Sequence, residues 1–556
     1  MAIQAFMPEM QTPPTPARQW VYRTTLLLIA LLTLATVVIT HGITIGEFSY
    51  HVDESQHAAT GLFYADVARE LPIRHPVQYT YRYYAQYPAL SGVVHWPPFF
   101  YFFEGLSFLL LGPTVVAARL SILVFALAGV SFWFLLVRKI LDDWAAALGA
   151  LLLVLLPSLL LFEKAVMLET PSLCLCLAAT YFWAQYLLGE KPVHLYWFGL
   201  MASFALLTKQ TCIYLIPFCV ISGLWLQGRR LLRRRELWIM MALCTLLVAP
   251  YYVLVYLVHW KTIAMDLGQV HPSLRNQWLF YPRALPGQLG RTLLALAVLG
   301  LGVSRKWSSP KVTVLMLSWI LACYITLTMI GHKEPRYAIY WLPPFIYFAT
   351  GILSSFFRQR GLRIAAAGIA IFLATHAVVS GWSFQRPYVS GYSTAAKQIT
   401  TTGKAGVILY DGDLPANFIF FVRANDPQKQ FLVLRKALYT ANFHVRGTLE
   451  LVHSEKDIGD LIQTDGVRYV VVSNGLPLYF KSQELLRSVL QQPAFHRIGS
   501  FPIVGNDQRV PNSTLDVYQN MLWTPPKPGT LRIRMLTLDH DIVVPIDGSG
   551  ALAPIQ

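Results

Sequence analysis

Long apolar segments recur from residue 22 to about residue 383, and each is long enough to cross a hydrocarbon core of roughly 30 Å. Only 13% of the 556 residues are charged and 55% are hydrophobic, whereas about a quarter of a soluble protein is charged. The chain is therefore predicted to be a polytopic α-helical membrane protein. No A-x-A-like cleavage site follows the first segment, Tyr22–Thr40, which is predicted to be a retained helix.

About 11 transmembrane helices are predicted. They are placed at residues 22–41, 114–137, 144–162, 170–188, 194–208, 211–227, 237–257, 289–304, 312–330, 337–356 and 364–383. The apolar segment 97–112 contains Glu104, is short for a crossing and is interpreted as re-entrant or interfacial. With this segment left out, a cytoplasmic N-terminus puts the basic clusters inside, including five arginines between residues 229 and 235.

This charge distribution explains the net charge of +16 by membrane topology and lipid head groups, so no nucleic-acid partner is predicted. The six cysteines all lie in apolar segments and are interpreted as small apolar residues of the core. The same topology puts the first loop (residues 42–98) and the C-terminus on the external face. In a bacterial host the membrane would be the plasma (inner) membrane.

Residues 1–384 are predicted to form the membrane domain and residues 385–556 a small external α/β domain. Strands are expected at 406–410, 430–434 and 467–473 and a helix at 482–491, because β-rich segments alternate with helical ones. The Pro- and Gly-rich tail after about residue 520 is expected to be irregular.

The first loop carries the adjacent carboxylates Asp53 and Glu54 about a dozen residues past the first apolar segment, in a chain with only 29 acidic residues. Ionisable groups beside a membrane often mark function. Asp53 and Glu54 stand at the start of a predicted amphipathic helix, 54–71. Its face of Ala58, Leu62, Ala65 and Ala68 would lie on the membrane. The alternative is that Asp53 serves only as an N-cap.

Other charged residues interrupt the apolar pattern on the same predicted face. They are Glu163, Lys164 and Glu169 in one segment, Lys209 in LLTKQT, and His332, Lys333 and Arg336 in HKEPR. Arginine and lysine suit phosphate recognition. The alternatives are ordinary loop charge and, for Lys209, a side chain that reaches to the membrane surface.

A positioned carboxylate can deprotonate a hydroxyl, and nearby cations can stabilise charge that develops on a departing phosphate. The combination predicts group transfer from a phospholipid-linked donor. No Walker loop or dinucleotide fingerprint is present. His95 and His271 are candidate ligands for a divalent metal ion, and no other cofactor is predicted.

The order of VDESQHAATGLFYADVAREL, HWPPFFYFFEGLSFLLLG, MLETPSLCLCL, LLTKQ and HKEPRYAIYWLPPF resembles the GT-C membrane glycosyltransferases. Among them it resembles the dolichyl-phosphate-mannose protein mannosyltransferases and the aminoarabinose lipid A transferases, over residues 20 to about 385. One departure is His95-Trp96-Pro97, where the lipid A transferases tend to have Glu-Lys-Pro.

The resemblance implies a polyprenyl-phosphate-linked sugar as donor, external transfer and inversion at the anomeric carbon. It implies Asp53 as general base, with Glu54 and Glu169 orienting the acceptor or a cation. It also implies that Lys209, His332, Lys333 and Arg336 bind the donor phosphate. The acceptor, whether protein, lipid or glycan, stays open.

Two rival functions follow from the same sequence. A transporter or flippase for a lipid-linked or anionic solute would suit many spans, but it should carry polar groups at the bilayer midplane and internal repeats, which the pattern lacks. A receptor with a ligand-sensing tail would leave the charged segments between spans without a role.

Overall fold

The computed structural model describes residues 16–49, 52–90, 96–189, 191–268, 274–331, 333–442, 447–510, 513–526, 529–535 and 540–546. Two parts are recognisable, a helical bundle and a C-terminal α/β domain that packs against the first loop. The helices of the first part are α1 Pro16–Thr40, α2 Asp53–Glu70, α3 Pro76–Gln86, α4 Phe99–Leu111, α5 Val115–Ile140, α6 Asp143–Val154, α7 Pro157–Lys164, α8 Glu169–Gly189, α9 Pro192–Leu206, α10 Leu215–Gln227, α11 Arg235–Gly268, α12 Leu274–Leu289, α13 Arg291–Gly302, α14 Pro310–Met329, α15 Leu342–Arg358 and α16 Arg363–Ser383.

Eight helical segments of the described chain are long and apolar enough to cross a membrane, or ten if each of two bent helix pairs is one span. The bend between α6 and α7 is 63° and lies just before Pro157, which starts α7. The bend between α12 and α13 is 114° and lies at Gly290, whose φ of 79° favours glycine. The fifth predicted span is the shorter helix α9, so the number 11 stays a prediction.

The bundle is held together by close helix packing. A Cβ atom on Gly129 of α5 would come within 3.2 Å of the Cα atom of Cys174 in α8, so glycine allows these helices to approach. Cys174, Cys176, Cys212 and Cys323 are buried and free, as expected for apolar core residues.

One end of the bundle carries cations paired with acids at helix ends. Arg138 donates to Asp143 over 2.9 Å, and Arg358 lies 3.4 Å from Asp142. Asp142 also caps α6 by accepting a hydrogen bond from the Ala145 amide. The first loop and the C-terminal domain lie at the opposite end.

Helix α2 differs from the prediction in what it faces. Ala58, Leu62 and Ala65 are at most 1% exposed and pack inside the protein, against α4 and the C-terminal domain. The expectation that they lie on the membrane was wrong, whereas Ala68, the last residue of that face, is exposed. The approach of α2 to α4 depends on Gly61, because a Cβ atom there would overlap the Glu104 carboxylate.

The C-terminal domain is built on a five-stranded mixed sheet of order β3-β2-β6-β9-β7, in which β2 is parallel to both β3 and β6. Its elements are β1 Val389–Ser390, α17 Tyr392–Thr402, β2 Gly406–Asp411, α18 Pro415–Asn425, β3 Phe431–Leu434, β4 Tyr439–Asn442, β5 Gly447–Glu450, α19 Glu455–Thr464, β6 Val467–Asn474, α20 Lys481–Val489, β7 Phe495–Pro502, β8 Val504–Gly505, β9 Thr514–Asn520, β10 Gly529–Met535 and β11 His540–Ile546.

These elements confirm the predicted α/β domain, its three strands and the helix near 482–491. The tail is not irregular throughout, since β10 and β11 form an antiparallel hairpin after residue 520. Alternating Leu531, Ile533, Ile542 and Val544 bury one face of this hairpin. That alternation is the signal that the Pro- and Gly-based interpretation missed.

A buried ion pair joins the first loop to the C-terminal domain. The Arg423 guanidinium of α18 donates to both Asp66 carboxylate oxygens of α2, over 2.9 and 2.7 Å. Tyr83 of α3 donates to the same carboxylate over 2.8 Å. A bidentate pair of this kind is specific in geometry as well as favourable in energy.

A second junction lies at the start of α17. The Glu47 carboxylate accepts hydrogen bonds from the amides of Gly391, Tyr392 and Ser393 over 3.0–3.2 Å. A carboxylate is stabilised at a helix N-terminus by these amides and by the helix dipole. Burial nevertheless raises the pKa of Glu47 above its usual value, and the bonds to Ser393 offset part of that effect.

Candidate active site

Four predicted site residues from distant parts of the chain meet at the end of the bundle that carries the first loop. Asp53 is the first residue of α2, and Glu169 is the first residue of α8. Lys209 immediately precedes a 3₁₀ turn, Gln210–Tyr214, and Arg336 lies in another 3₁₀ turn, Pro335–Trp341. The two acids therefore occupy helix N-termini, where the dipole favours negative charge.

Arg336 is the centre of this charged cluster. Its guanidinium donates to Asp53 over 3.0 Å and lies 2.5 Å from the Glu334 carboxylate. Its Nε atom is 3.7 Å from the Glu169 carboxylate. Only 9% of the Arg336 side chain is exposed, so these charges interact at short range with little screening by solvent.

Lys209 forms the second ion pair of the cluster, with its Nζ atom 2.5 Å from Glu169. Both side chains are almost fully buried, at 3% and 1% exposed. The ammonium group also lies over the rings of Trp96 and Tyr337, at 6.0 and 5.5 Å from their centroids. Glu169 and the two aromatic rings therefore hold this cation in place.

The cluster has a neutral histidine beside it. The Nδ1 atom of His57, one turn along α2 from Asp53, is 2.7 Å from the Tyr101 hydroxyl. Burial lowers the pKa of His57 to about 4, and the charges of Asp53 and Glu169 oppose that shift. His57 is therefore uncharged at neutral pH and can take part only as a hydrogen-bonding group or a proton acceptor.

The structure gives Glu54 and Lys333 different surroundings. The Glu54 carboxylate is fully buried and accepts hydrogen bonds from the amides of Ser49 and Val166, over 2.9 and 3.2 Å. Lys333 donates to the carbonyls of Leu327 and Ile330 at the end of α14. These contacts tie chain segments together, and the chemical roles expected for both residues stay predictions.

His95, His271 and His332 lie outside the described residues, so their predicted roles stay predictions. Within the ranges that the structure describes, no group of three or more His, Cys, Asp or Glu side chains is arranged to hold a metal ion. The acids of the charged cluster instead face arginine and lysine, which neutralise them.

Sequence reasoning missed four members of the site, namely Glu334, Tyr337, Trp96 and Tyr101. Glu334 stands inside the HKEPR segment, and its alternation with cations was a usable signal. The aromatic residues carry no local signal, because a tyrosine-rich stretch looks the same whether its rings face the membrane interface or a site. Three-dimensional contact with Lys209 and His57 separates the two interpretations.

The family model for dolichyl-phosphate-mannose-protein mannosyltransferase matches residues 95–254 of the chain. This region covers α4 to most of α11, and it includes Glu169 and Lys209. Among proteins with curated descriptions, none matches the chain by sequence.

Solved structures show the class of fold. The crystal structure of ArnT from Cupriavidus metallidurans bound to undecaprenyl phosphate is similar over 90% of this chain and 98% of its own, with a TM-score of 0.59 and 14% identity. An oligosaccharyltransferase from Archaeoglobus fulgidus, in complex with Zn and sulfate, is similar over 80% of this chain and 68% of its own, with a TM-score of 0.51 and 12% identity. The chain therefore has the GT-C fold of membrane glycosyltransferases, as the sequence resemblance implied.

Proposed function

We propose that this protein is an inverting glycosyltransferase that moves a sugar from a polyprenyl-phosphate-linked donor to an acceptor hydroxyl on the external face of the membrane. The observation that supports the proposal most is the charged cluster, in which Asp53 and Glu169 are held by Arg336 and Lys209. The buried cluster thus brings carboxylates that can accept protons next to cations that can bind phosphate.

Donor binding uses the cations. Arg336 is surrounded by carboxylates in this structure, and a donor phosphate that enters would compete with them for its guanidinium. Arginine suits this role because its planar fork binds two phosphate oxygens at once. Lys209 supplies a second positive charge, paired with the same Glu169 carboxylate oxygen that Arg336 approaches.

Binding of the donor phosphate to Arg336 also frees the proposed general base, Asp53. When phosphate takes over Arg336, the Asp53 carboxylate loses the ion pair that neutralises it and becomes available to an acceptor hydroxyl. Asp53 removes the hydroxyl proton while the acceptor oxygen attacks the anomeric carbon. The bond from that carbon to the phosphate oxygen breaks, and the electron pair leaves with the lipid phosphate, which Arg336 and Lys209 stabilise.

Glu54 and Glu169 position this machinery. The backbone bonds of Glu54 fix the segment before α2 to the segment before α8, and so set Asp53 relative to Glu169. Lys333 and His332 stay proposed donor-phosphate contacts, and a divalent metal at His95 and His271 stays a hypothesis.

We further propose that residues 1–384 are the catalytic membrane domain, with a cytoplasmic N-terminus and residues 385–556 outside. The ion pairs of Arg138 and Arg358 support this orientation, because they lie at the end of the bundle opposite the charged cluster. In a bacterium the membrane would be the inner membrane.

Donor consumption tests the function. Purified protein receives a panel of polyprenyl-phosphate sugars together with a membrane extract that supplies acceptors, and release of polyprenyl phosphate is followed by mass spectrometry. We expect one donor to be consumed by the wild type and by the control Asp143→Asn, and to survive with Asp53→Asn. Transbilayer movement of a donor that is never cleaved, by wild type and Asp53→Asn alike, would favour the flippase instead.

A further inference from the structure

The parallel part of the C-terminal sheet has a topological switch point. Strand β2 lies between β3 and β6 and is parallel to both. From β2 the chain runs first to β3 on one side and later to β6 on the other. In open α/β sheets, ligands bind in the crevice outside the carboxyl ends of the strands at such a point.

Polar residues lie at this carboxyl edge of the sheet. Asp411, the last residue of β2, forms an ion pair with Arg487 and accepts a hydrogen bond from the Gln483 amide over 2.8 Å. Asp413, two residues on, is only part-buried, and no side chain in the described part of the chain bonds to its carboxylate. Burial, with the charge of Asp411, raises the pKa of Asp413 above its usual value.

Aromatic and cationic groups complete the edge. Tyr439 lies within electrostatic range of Asp413 and Arg435, and its ring stacks on Phe480 with centroids 4.3 Å apart. Arg435, which follows β3, also lines a cavity of about 370 Å³ beside β3, whose other walls include Pro88 of the first loop and Leu531 of the β10–β11 hairpin. Asp413 and Tyr439 lie outside the lining of this cavity.

Both arms of the first loop hold this edge close to the charged cluster. The Arg509 guanidinium donates to the carbonyl of Ser49, whose own amide donates to Glu54, the neighbour of Asp53. On the other arm, Arg435 donates to the carbonyl of Pro88 over 3.4 Å. The carboxyl edge of the sheet is therefore attached to the segment that precedes α2, the helix of the proposed base, and to the segment that follows α3.

We propose that this edge is the acceptor subsite and that it binds a hydroxyl-rich glycan, read by Asp413, Arg435 and Tyr439. A carboxylate accepts hydrogen bonds from sugar hydroxyls, an arginine donates to them, and an aromatic face packs on the apolar side of a sugar ring. The inference rests on the proposed function, because it assigns the acceptor of that reaction.

Saturation-transfer NMR on the full chain in detergent tests the subsite. The probes are methyl α-mannopyranoside, methyl β-glucopyranoside and maltotriose, with inorganic phosphate as the anionic comparison, whose binding is followed by broadening of its ³¹P signal. We expect transfer to at least one sugar with the wild type and with Asp53→Asn. The transfer should fall at least threefold in Asp413→Ala and in Arg435→Gln, and stay unchanged in Asp460→Ala, an exposed acid on α19.

Three outcomes would overturn the subsite: no sugar receives transfer, all variants give equal transfer, or only phosphate binds. Arg435→Gln keeps the test decisive if Asp413→Ala does not fold. Donor turnover separates this inference from the proposed function. If the wild type consumes a donor but no sugar binds at this edge, only the subsite proposal is wrong. If a sugar binds at this edge but no donor is consumed, the proposed transferase function is wrong.

Discussion

Arg336 donates a hydrogen bond to Asp53 over 3.0 Å, although the two residues are 283 positions apart in the chain. The bond joins the start of the first loop to the turn that leads into α15. It thereby brings the proposed base and the proposed phosphate ligand into direct contact.

Replacing Asp53 with Asn should abolish transfer and leave donor binding intact. General base catalysis contributes about 10²- to 10⁴-fold to rates, so turnover should fall by that factor. Donor affinity should hold or rise, because Arg336 loses a competing carboxylate. Turnover is measured by release of polyprenyl phosphate and affinity by titration of a non-cleavable donor analogue. Equal turnover by both proteins would remove Asp53 as the base.

Replacing Lys209 with Met should destabilise the protein, because the buried Glu169 then loses its nearest cation. Breaking a buried ion pair by removing one partner costs about 3–5 kcal/mol. The double variant Lys209→Met with Glu169→Gln should recover most of this loss and remain inactive. Thermal unfolding in detergent measures the first effect and donor turnover the second. Full stability of the single variant would contradict the pairing.

How far could the sequence predict this site? Asp53, Glu169, Lys209 and Arg336 were all identified, because charge inside an apolar chain is conspicuous. Which acid pairs with which cation was not predictable, because the pairing depends on how the helices pack. Glu54 looked equivalent to Asp53 in the sequence, yet one side chain faces Arg336 and the other two backbone amides.

The fold, like the site, was only partly predictable from the sequence. The apolar segments indicated where helices lie, and the strand at 467–473 was recognisable from its run of valines. The burial of α2 was missed, because small alanines on one face suit a membrane surface and a tight protein interface equally. The C-terminal domain covers that face, and no local pattern in α2 reports a contact 357 positions away.

Replacing Arg423 with Met should loosen the C-terminal domain from the first loop. Among the described residues, the fully buried Asp66 would keep Tyr83 and the half-exposed Arg69 as its hydrogen-bonding partners, at a cost of about 3–5 kcal/mol. The control is Arg532→Met, an exposed arginine whose loss should cost less than about 0.5 kcal/mol. Limited proteolysis after residue 384 and thermal unfolding report the effect. Identical behaviour of the two variants would contradict a joining role for Arg423.

His57 should make the folded protein sensitive to acid. Its pKa is about 4 in the folded state and 6.5 when free, so the unfolded chain binds the proton more readily between these values. Stability is fully present above pH 6.5 and falls as pH drops toward 4. In His57→Gln the loss of stability between pH 7 and pH 4.5 should be smaller, by up to about 3 kcal/mol. If the stability of the two proteins falls equally between pH 7 and pH 4.5, this pH dependence does not arise from His57.

Replacing Gly61 with Ala should force α2 and α4 apart, because the new methyl group would overlap the Glu104 side chain. Overpacking of this kind costs about 1–3 kcal/mol, and the shift of α2 should also displace Asp53 and lower turnover. The matched control is Gly189→Ala at the end of α8, where a Cβ atom meets nothing within 4 Å. Adding Glu104→Ala to Gly61→Ala should restore stability. If it does not, the clash is not the cause.

The bidentate pair between Asp66 and Arg423 limits how this protein can be recombined. A C-terminal domain transplanted from another transferase would bring its own surface to α2 and leave Asp66 without its arginine. A working chimera would therefore have to exchange the first loop and the C-terminal domain together. The two segments lie far apart in the gene, yet they form one module for inheritance and for engineering.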